Sequence, residues 1–254
     1  MTMTSNFQKV CEFHRAFTQS QLTPTESLID FRTCSLRIHL IDEELKEYMG
    51  AETEVDRMDA LADLLYVVYG AGVVFGIDLD YEYDHYLQPQ VGKTPIHHFP
   101  RGEDSVPSQQ TSFEKTCAIY WRFDQTQFIT QMVRYLRDLA YWLLMRDVGE
   151  ITMMLVQMLH ELYEIGYTSH IQMDRLFEVI HLSNMSKLCS TEAEAKATVQ
   201  WYQEHESNRY PQPTYGRSRD GVHWVVFDQV SGGKVLKSYS YTPPTIVVSD
   251  LMMV

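Results

Sequence analysis

Apolar residues recur every three or four positions through most of this chain, and that spacing is typical of α-helices. Thr23 followed by Pro24 indicates a helix start, because proline is tolerated in the first helical turn. Gly50 and Gly76 are expected to end the two helices that precede them. The predicted helical segments cover residues 7–17, 23–48, 54–75, 81–87, about 124–167, 177–188 and 192–205.

Two segments depart from the helical pattern. Residues 88–112 carry four prolines among polar residues and predict a linker. The β-rich runs 223–230 and 234–241 flank a Ser-Gly-Gly turn and predict a β-hairpin. The expected fold is therefore all-α, a four-helix-bundle-like pair of helical hairpins with a small C-terminal β-hairpin tail. The expected divisions are 1–87, a helical half rich in acids; 88–112, the linker; 113–206, a second helical half; and 207–254, the tail.

The pattern of the first half returns in the second half after a shift of 94 positions. The matching pairs are Leu45/Leu139, Leu61/Leu155, Leu65/Leu159, Tyr69/Tyr163, Gly72/Gly166, Ile77/Ile171 and Asp80/Asp174. Two apolar stripes of the same spacing bury each other best when they face across an axis. We therefore expect an internal duplication, with hairpins 25–75 and about 124–167 packed around a pseudo-two-fold axis.

The densest charge pattern lies on two adjacent predicted helices. Only Lys46 and Arg57 are basic between positions 42 and 63, and the acids there are Asp42, Glu43, Glu44, Glu47, Glu52, Glu54, Asp56, Asp59 and Asp63. Spacings of three and four residues place the acids of each helix on one face. Like charges at these spacings cost an isolated helix roughly 0.2–0.5 kcal/mol per pair. A divalent cation held between the two helices would relieve this repulsion, so the pattern predicts a metal site.

Carboxylate oxygens favour hard cations, so Mg²⁺ is the expected ion, with Mn²⁺ as a substitute. The second half does not repeat the acids. Tyr141, Met153 and Gln157 stand where Glu47, Asp59 and Asp63 are repeated, so that of Glu44, Glu47, Asp59 and Asp63 only Glu44 keeps an acidic counterpart, Asp138. One metal site per chain is therefore expected.

Composition narrows the classes of function. A chain of 254 residues with 44% hydrophobic content is expected to be globular. A net charge of −13 without a basic stripe argues against nucleic-acid binding. The longest apolar run, 64–77, looks too short and too rich in glycine to span a membrane. Four cysteines without metal-site spacing and a start without a signal-peptide pattern predict a reduced, cytoplasmic protein.

Five motifs follow one another along the chain. They are Val10–Phe17 (VCEFHRAF), Glu43–Glu47 (EELKE), Asp59–Val67 (DALADLLYV) running on to Leu79, Ser183–Leu188 (SNMSKL), and Gly233–Lys237 (GKVLK) before Pro243 and Pro244. In this order they resemble the all-α NTP pyrophosphohydrolases of the MazG-like superfamily. More narrowly, they are similar to the phage-type phosphoribosyl-ATP pyrophosphohydrolase-like proteins. The resemblance covers residues 7–87 and about 177–244.

The resemblance implies metal-dependent hydrolysis of a nucleoside triphosphate, ribo or deoxy, to the monophosphate and pyrophosphate. The implied metal ligands are Glu44, Glu47, Asp59 and Asp63. Glu43 would activate the attacking water. The implied substrate-binding residues are Asn184 and Lys187, with Lys234 and Lys237 as candidate phosphate contacts. In dimeric relatives one subunit completes the site of another, and the second half of this chain would take that role. The resemblance also leaves a homodimer possible.

One spacing differs from the superfamily pattern of Glu-x-x-Glu followed by Glu-x-x-Asp. The position three residues before Asp63 is Ala60, so Asp59, or the pair Asp56 and Asp59, would have to supply the fourth ligand. Two other functions stay open at this point. One is a non-catalytic helical scaffold that binds a nucleotide or a partner without turnover, and the other is an enzyme acting on phosphoribosyl-ATP.

Overall fold

The computed structural model describes residues 4–17, 23–87, 125–230 and 234–253, so the predicted linker 88–112 lies outside the described residues. The helices are α1 (Asn6–Phe17), α2 (Pro24–Ile29), α3 (Phe31–Gly50), α4 (Glu54–Phe75), α5 (Leu79–Leu87), α6 (Gln125–Met145), α7 (Val148–Thr168), α8 (Met173–Met185), α9 (Glu192–His205) and α10 (Val248–Leu251). The strands are β1 (Pro213–Arg217), β2 (Trp224–Asp228) and β3 (Lys234–Val235). The all-α prediction with a small C-terminal β element is confirmed.

The chain divides into two compact units. The first unit comprises Met1–Phe7, Leu22–Glu178 and Ile246–Val254, and the second comprises Gln8–Gln21 and Val179–Thr245. The first unit therefore contains both predicted helical hairpins. The second contains the β strands and most of α1.

The single helix expected over 23–48 is wrong, because the chain breaks at Asp30. Thr23 and Glu26 form a capping box at the start of α2, with Pro24 in the first turn as expected. Asp30 has an extended backbone, and its carboxylate accepts a hydrogen bond from the Thr33 backbone N–H at 2.8 Å. This side chain caps a new helix, so α3 starts independently of α2.

Helix α4 forms the core of the first unit. Its leucines at 61, 64 and 65 are all at most 1% exposed, and burying a leucine fully stabilises a fold by about 1.5–3 kcal/mol. By length and composition α4 could also cross a membrane, whereas the run 64–77 had looked too short. Most of the helix is buried inside the protein, as in the core helix of a globular domain.

The duplicated hairpins are present, as the shift of 94 positions predicted. Helices α3, α4 and α5 begin 94 residues before α6, α7 and α8 respectively. Helix α3 packs on α4 and α6 packs on α7, and the two hairpins meet through the pairs α3–α6 and α4–α7. The two halves thus share element boundaries as well as sequence.

Aromatic contacts between the halves are reciprocal. Phe177 stacks on Tyr66, with ring centroids 5.1 Å apart. Ninety-four residues earlier than Phe177, Tyr83 packs against His160, the residue that repeats Tyr66, with centroids 6.3 Å apart. Each half therefore inserts an aromatic ring into the other. Such an exchange is the signature of a two-fold relationship, as predicted.

The second unit has its own small core beside a three-stranded antiparallel sheet. Cys189, Tyr202, Val226 and Leu236 are buried together there. Strand β2 pairs with β3 in the predicted hairpin, with Phe227 opposite Val235. Two details were not predicted: β1 adds a third strand beside β2, and β3 is only two residues long, so 236–241 is not a strand.

Candidate functional site

The acidic cluster forms on the facing helices α3 and α4 of the first unit. Glu43 and Glu47 of α3 are exposed, whereas Glu44 is half-buried between them. Asp59 and Asp63, four residues apart on α4, are also half-buried. The two helices pack against each other along their length, so the acids of both surround one position, that of Glu44.

The cap at the start of α4 determines which of its aspartates are available to bind a metal ion. Thr53 and Asp56 form a capping box, in which the Asp56 carboxylate accepts from the Thr53 hydroxyl at 2.6 Å and the Asp56 N–H donates to that hydroxyl at 3.1 Å. Asp56 is exposed and is held by its role as a helix cap. Asp59, one turn further along, belongs to the group of acids around Glu44.

The carboxyl group of Glu44 is under electrostatic strain from burial and from the acids around it. Burial, followed by the negative charges of Asp63, Glu47, Glu43 and Asp59, raises the pKa of its carboxyl group to about 8. Its Oε2 atom is buried and has no hydrogen-bond partner. A buried carboxylate oxygen without a partner is costly. Protonation or a bound cation would each relieve that cost.

The chemistry of these donors fits a hard divalent cation, because every candidate ligand is a carboxylate oxygen. The orphaned Oε2 of Glu44 is a free coordination position in the middle of the group. Among the residues that the structure describes, however, no three His, Cys, Asp or Glu side chains are gathered closely enough to hold an ion as they stand. An ion would therefore have to draw the exposed members, Glu43 and Glu47, inward by rotation of their side chains.

In the second half, three of the four positions that repeat Glu44, Glu47, Asp59 and Asp63 carry no carboxylate. Asp138, which repeats Glu44, is bound by the guanidinium of its neighbour Arg137 at 3.0 Å. Tyr141 and Met153, which repeat Glu47 and Asp59, are exposed, and Gln157 repeats Asp63. A thioether, a phenol and an amide are poor replacements for carboxylates as ligands of a hard cation.

The predicted substrate-binding residues lie in the second unit. Lys187 donates to the Oδ1 of Asn184 at 2.6 Å, so the two side chains form one polar pair at the end of α8. Lys237 lies over the ring of Tyr241, with Nζ 4.3 Å from the centroid. Lys234 is exposed on strand β3. The acids lie in the first unit, and these four residues lie in the second.

Two serines beside Asn184 hold the chain that follows the sheet. Ser183 donates to the Thr242 carbonyl at 3.0 Å, and Ser186 accepts from the Thr242 N–H at 3.0 Å. The Ser183 hydroxyl also lies 3.1 Å from the Tyr241 hydroxyl. Sequence reasoning missed this clamp, although the two serines stand three residues apart and so share one face of the helix end.

A shallow groove runs between α3 and α6, on the other face of α3. It is lined by Ile38, His39 and Asp42 of α3 and by Val133 and Arg137 of α6, with further residues on both helices. Asp42 is two residues from Glu44, which turns it to the opposite side of the helix. The groove is therefore separate from the acidic cluster.

Comparison with known proteins gives matches to a family and to a viral protein. The phosphoribosyl-ATP pyrophosphohydrolase family matches residues 10–86, which contain the whole acidic cluster. A protein of Acanthamoeba polyphaga mimivirus, "Uncharacterized protein L479", is 30% identical over 254 residues, covering 98% of this chain and 96% of that relative. No solved structure matches the chain.

The family match agrees with the motifs and with the all-α duplicated fold. It indicates a nucleotide pyrophosphohydrolase, which is a hydrolase acting on phosphoric anhydride bonds. The matched segment ends before α6, so it covers the half that carries the acids and not the half that has lost them. The chain belongs to the MazG-like all-α NTP pyrophosphohydrolase superfamily, and its first half is the segment related to phosphoribosyl-ATP pyrophosphohydrolase.

Proposed function

We propose that this protein is a metal-dependent nucleoside triphosphate pyrophosphohydrolase that converts a (d)NTP and water to the (d)NMP and pyrophosphate. The observation that carries the proposal is the Glu44 carboxylate, whose buried Oε2 has no hydrogen-bond partner. Four further acids surround it and raise its pKa. A fold retains such a costly arrangement when function requires it, and a divalent cation would neutralise it.

The proposed ligands of Mg²⁺ are Glu44, Glu47, Asp59 and Asp63. Asp59 is preferred over Asp56, because Asp56 is engaged as the cap of α4 and does not act on Glu44. When bound, the ion would supply positive charge that offsets the negative charge developing on the substrate phosphates during hydrolysis. Because Glu44 and Asp63 are half-buried, less water would compete with the phosphate oxygens for the ion at these ligands.

Glu43 is the proposed general base. It is exposed at the edge of the cluster and adjacent to Glu44, so a water molecule can reach it. Water is split across the α–β phosphoanhydride bond: its hydroxyl joins one phosphorus, the anhydride bond breaks, and its proton passes first to Glu43. The products are the monophosphate and pyrophosphate.

The four polar residues of the second unit are proposed to bind the substrate. Asn184 and Lys187 form a preorganised pair, and lysine is a suitable point charge for a phosphate. Lys237 is oriented by the ring of Tyr241 and Lys234 is exposed. Both are available to anionic oxygens.

Pyrophosphate release over the eight common nucleotides with Mg²⁺ tests the proposal. We expect turnover of at least one nucleotide in the wild type and a loss of at least ~10³-fold in Glu47→Gln, since a metal ligand supplies several kcal/mol of transition-state stabilisation. Asp138→Asn is the matched control in the second half and should keep full activity. An active Glu47→Gln variant would remove Glu47 from the site.

Two other candidates have specific support. Phosphoribosyl-ATP is the substrate named for the family that matches residues 10–86, so it belongs in the same assay as a ninth compound. A non-catalytic scaffold is favoured by the absence, in the described part of the chain, of a ready-formed group of three ligands. That reading predicts nucleotide binding without pyrophosphate release.

A further inference from the structure

Arg37 of helix α3 is a partly buried cation whose Nε has no hydrogen-bond partner among the residues that the structure describes. This N–H donor is shielded from solvent and donates to no acceptor there. Burial lowers the pKa of its guanidinium to about 10. Arginine side chains that are withdrawn from water are ordinarily paired with acids. An isolated one therefore calls for an explanation.

The same helix carries unbalanced negative charge. Arg37 precedes Glu44 by seven residues, which places both on one face of α3 about 10 Å apart along the axis. An ion pair between the cation and the acids would be the simplest compensation, yet Arg37 is absent from the charges that act on Glu44. The helix keeps the positive and the negative groups apart on one face. A ligand that carries both bound cations and free anionic oxygens would satisfy the two groups together.

The duplicated half provides an internal comparison. The residue that repeats Arg37 after 94 positions is Gln131, on helix α6. Its Oε1 is also buried without a partner, so the two positions have similar surroundings. If the packing of the hairpin required an arginine, the repeated position would be expected to keep one. The half that lost the acids has lost this charge too, which links Arg37 to the acids and not to the fold.

We propose that Arg37 binds a phosphate group of the substrate, on the face of α3 that also carries Glu44 of the acidic cluster. This inference rests on the proposed function, because it assigns Arg37 to the same site. A guanidinium presents a fork of donors that matches two phosphate oxygens, and in a water-poor position such a charge-assisted contact is strong. Arg37 would discriminate polyphosphates from substrates with fewer charges.

The simplest competing explanation is structural. The aliphatic stem of an arginine can cover apolar surface, and its loss would then lower stability. The two explanations differ in what they predict for substrate binding, which a purely structural arginine would not change. Arg37→Met keeps an apolar stem and removes a buried charge, so a phosphate-binding role predicts unchanged or higher thermal stability together with weaker substrate binding.

The test combines steady-state kinetics with thermal melts of the full chain. We expect Arg37→Met to raise KM about tenfold or more, with kcat changed much less. Arg37→Lys, which keeps the charge without the fork, should give an intermediate KM. Gln131→Met is the matched control at the repeated position and should leave KM unchanged. Inorganic tripolyphosphate with Mg²⁺ should raise the melting temperature of the wild type and not that of Arg37→Met.

The outcomes separate this inference from the proposed function. If the wild type releases pyrophosphate and Arg37→Met has the wild-type KM, the inference fails and the function stands. If Arg37→Met unfolds or melts far below the wild type, the guanidinium itself stabilises the fold and the inference fails. If no nucleotide is hydrolysed but tripolyphosphate stabilises only proteins with Arg37, the anion site stands and the proposed function fails.

Discussion

The hydroxyl oxygens of Tyr69 and Tyr163 lie 3.2 Å apart, where the two duplicated halves meet. Each hydroxyl also donates to an aspartate eleven residues later: Tyr69 to Asp80 at 3.0 Å, and Tyr163 to Asp174 at 3.2 Å. Tyrosine and aspartate are repeated in both halves at the same spacing. The tyrosine–aspartate pairs at this buried boundary are therefore themselves related by the two-fold repeat.

Removing one hydroxyl from this network should destabilise the first unit. We expect Tyr163→Phe and Tyr69→Phe each to lower the free energy of unfolding by about 1–3 kcal/mol, because a buried partner is left unsatisfied. The double variant should lose less than the sum, since the two hydroxyls share their contacts. Urea unfolding measures the effect, and Tyr81→Phe, at an exposed tyrosine, is the control. Strictly additive losses would show that the hydroxyls act independently.

The turn after each second helix of a hairpin supports another prediction. Gly76 and His170, 94 residues apart, both have left-handed backbones, with φ of 72° and 59°. This conformation is strained for histidine and natural for glycine. His170→Gly should therefore raise the free energy of unfolding by about 0.5–1 kcal/mol. Gly76→Ala should lower it by more, because the new Cβ would also lie 2.7 Å from Pro24.

Gly50→Ala is the control for both variants. Gly50 ends α3 with a negative φ and open space around its Cα, so alanine fits there without strain. Thermal melts of Gly76→Ala, His170→Gly and Gly50→Ala measure these effects. The melting temperature of Gly50→Ala should be unchanged or raised. A destabilised His170→Gly would mean that the histidine side chain makes a contact worth more than the strain.

The sequence was sufficient to predict most of the first unit. Helix α4 was predictable because Thr53, the leucine stripe and Gly76 all point to the same boundaries. The duplication was readable because buried positions such as Tyr69 and Gly72 recur exactly. The break at Asp30 was missed, since its carboxylate can cap a new helix only when Thr33 turns toward it. Strand β1 was missed because Pro213 and Gly216 disfavour a strand, although β1 pairs with β2, the next strand along the chain.

The candidate site was only partly predictable. Spacing alone could gather the acids on one face of each helix, but it could not tell Asp56 from Asp59, because the difference lies in the capping hydrogen bonds. Nothing in the sequence indicated a role for Arg37, since a charged residue in an amphipathic helix is ordinarily exposed to solvent. Its burial depends on how α3 packs, which is a tertiary property.

Metal ions should stabilise the protein. Because Mg²⁺ or Mn²⁺ would bind only the folded arrangement of carboxylates, a hundredfold excess over the dissociation constant should add about 2.7 kcal/mol to the free energy of unfolding. Asp63→Asn and Asp59→Asn should reduce the shift in melting temperature, whereas Asp138→Asn, paired with Arg137 in the second half, should not. Equal metal-induced shifts in melting temperature in all three variants would mean that the ion binds elsewhere.

The stability of the protein should depend on pH through Glu161, which is not part of the proposed site. Burial and then the charge of Glu164 raise the pKa of its carboxyl group to about 7, against the opposing effects of Arg134 and Tyr135. The folded pKa lies above the unfolded value of about 4.3. This contribution to stability is therefore complete below pH 4 and is lost as the pH rises to 7 and above.

Glu161→Gln removes that titration. The variant should match the wild type near pH 4 and exceed it by about 1–2 kcal/mol at pH 8, after allowance for solvent screening. Chemical denaturation at several pH values measures the difference. Glu204→Gln, at an exposed position of α9, is the control and should follow the wild type throughout. A constant difference at every pH would mean that the carboxyl charge is not what destabilises the fold.

The polar pair at the end of α8 gives the last prediction. If Lys187 binds a substrate phosphate, Lys187→Ala should raise KM about tenfold or more while the metal-induced shift in melting temperature stays unchanged. Ser186 and Ser183 should affect substrate binding by holding the chain beside Lys187 in place. Ser186→Ala loses the hydrogen bond from the Thr242 N–H and should raise KM less than Lys187→Ala does. Ser186→Thr keeps a hydroxyl group and should restore the wild-type KM. Ser249→Ala, an exposed serine on α10, controls for a general effect of the change. A wild-type KM in Lys187→Ala would mean that the lysine serves only to fix Asn184, to which it donates at 2.6 Å.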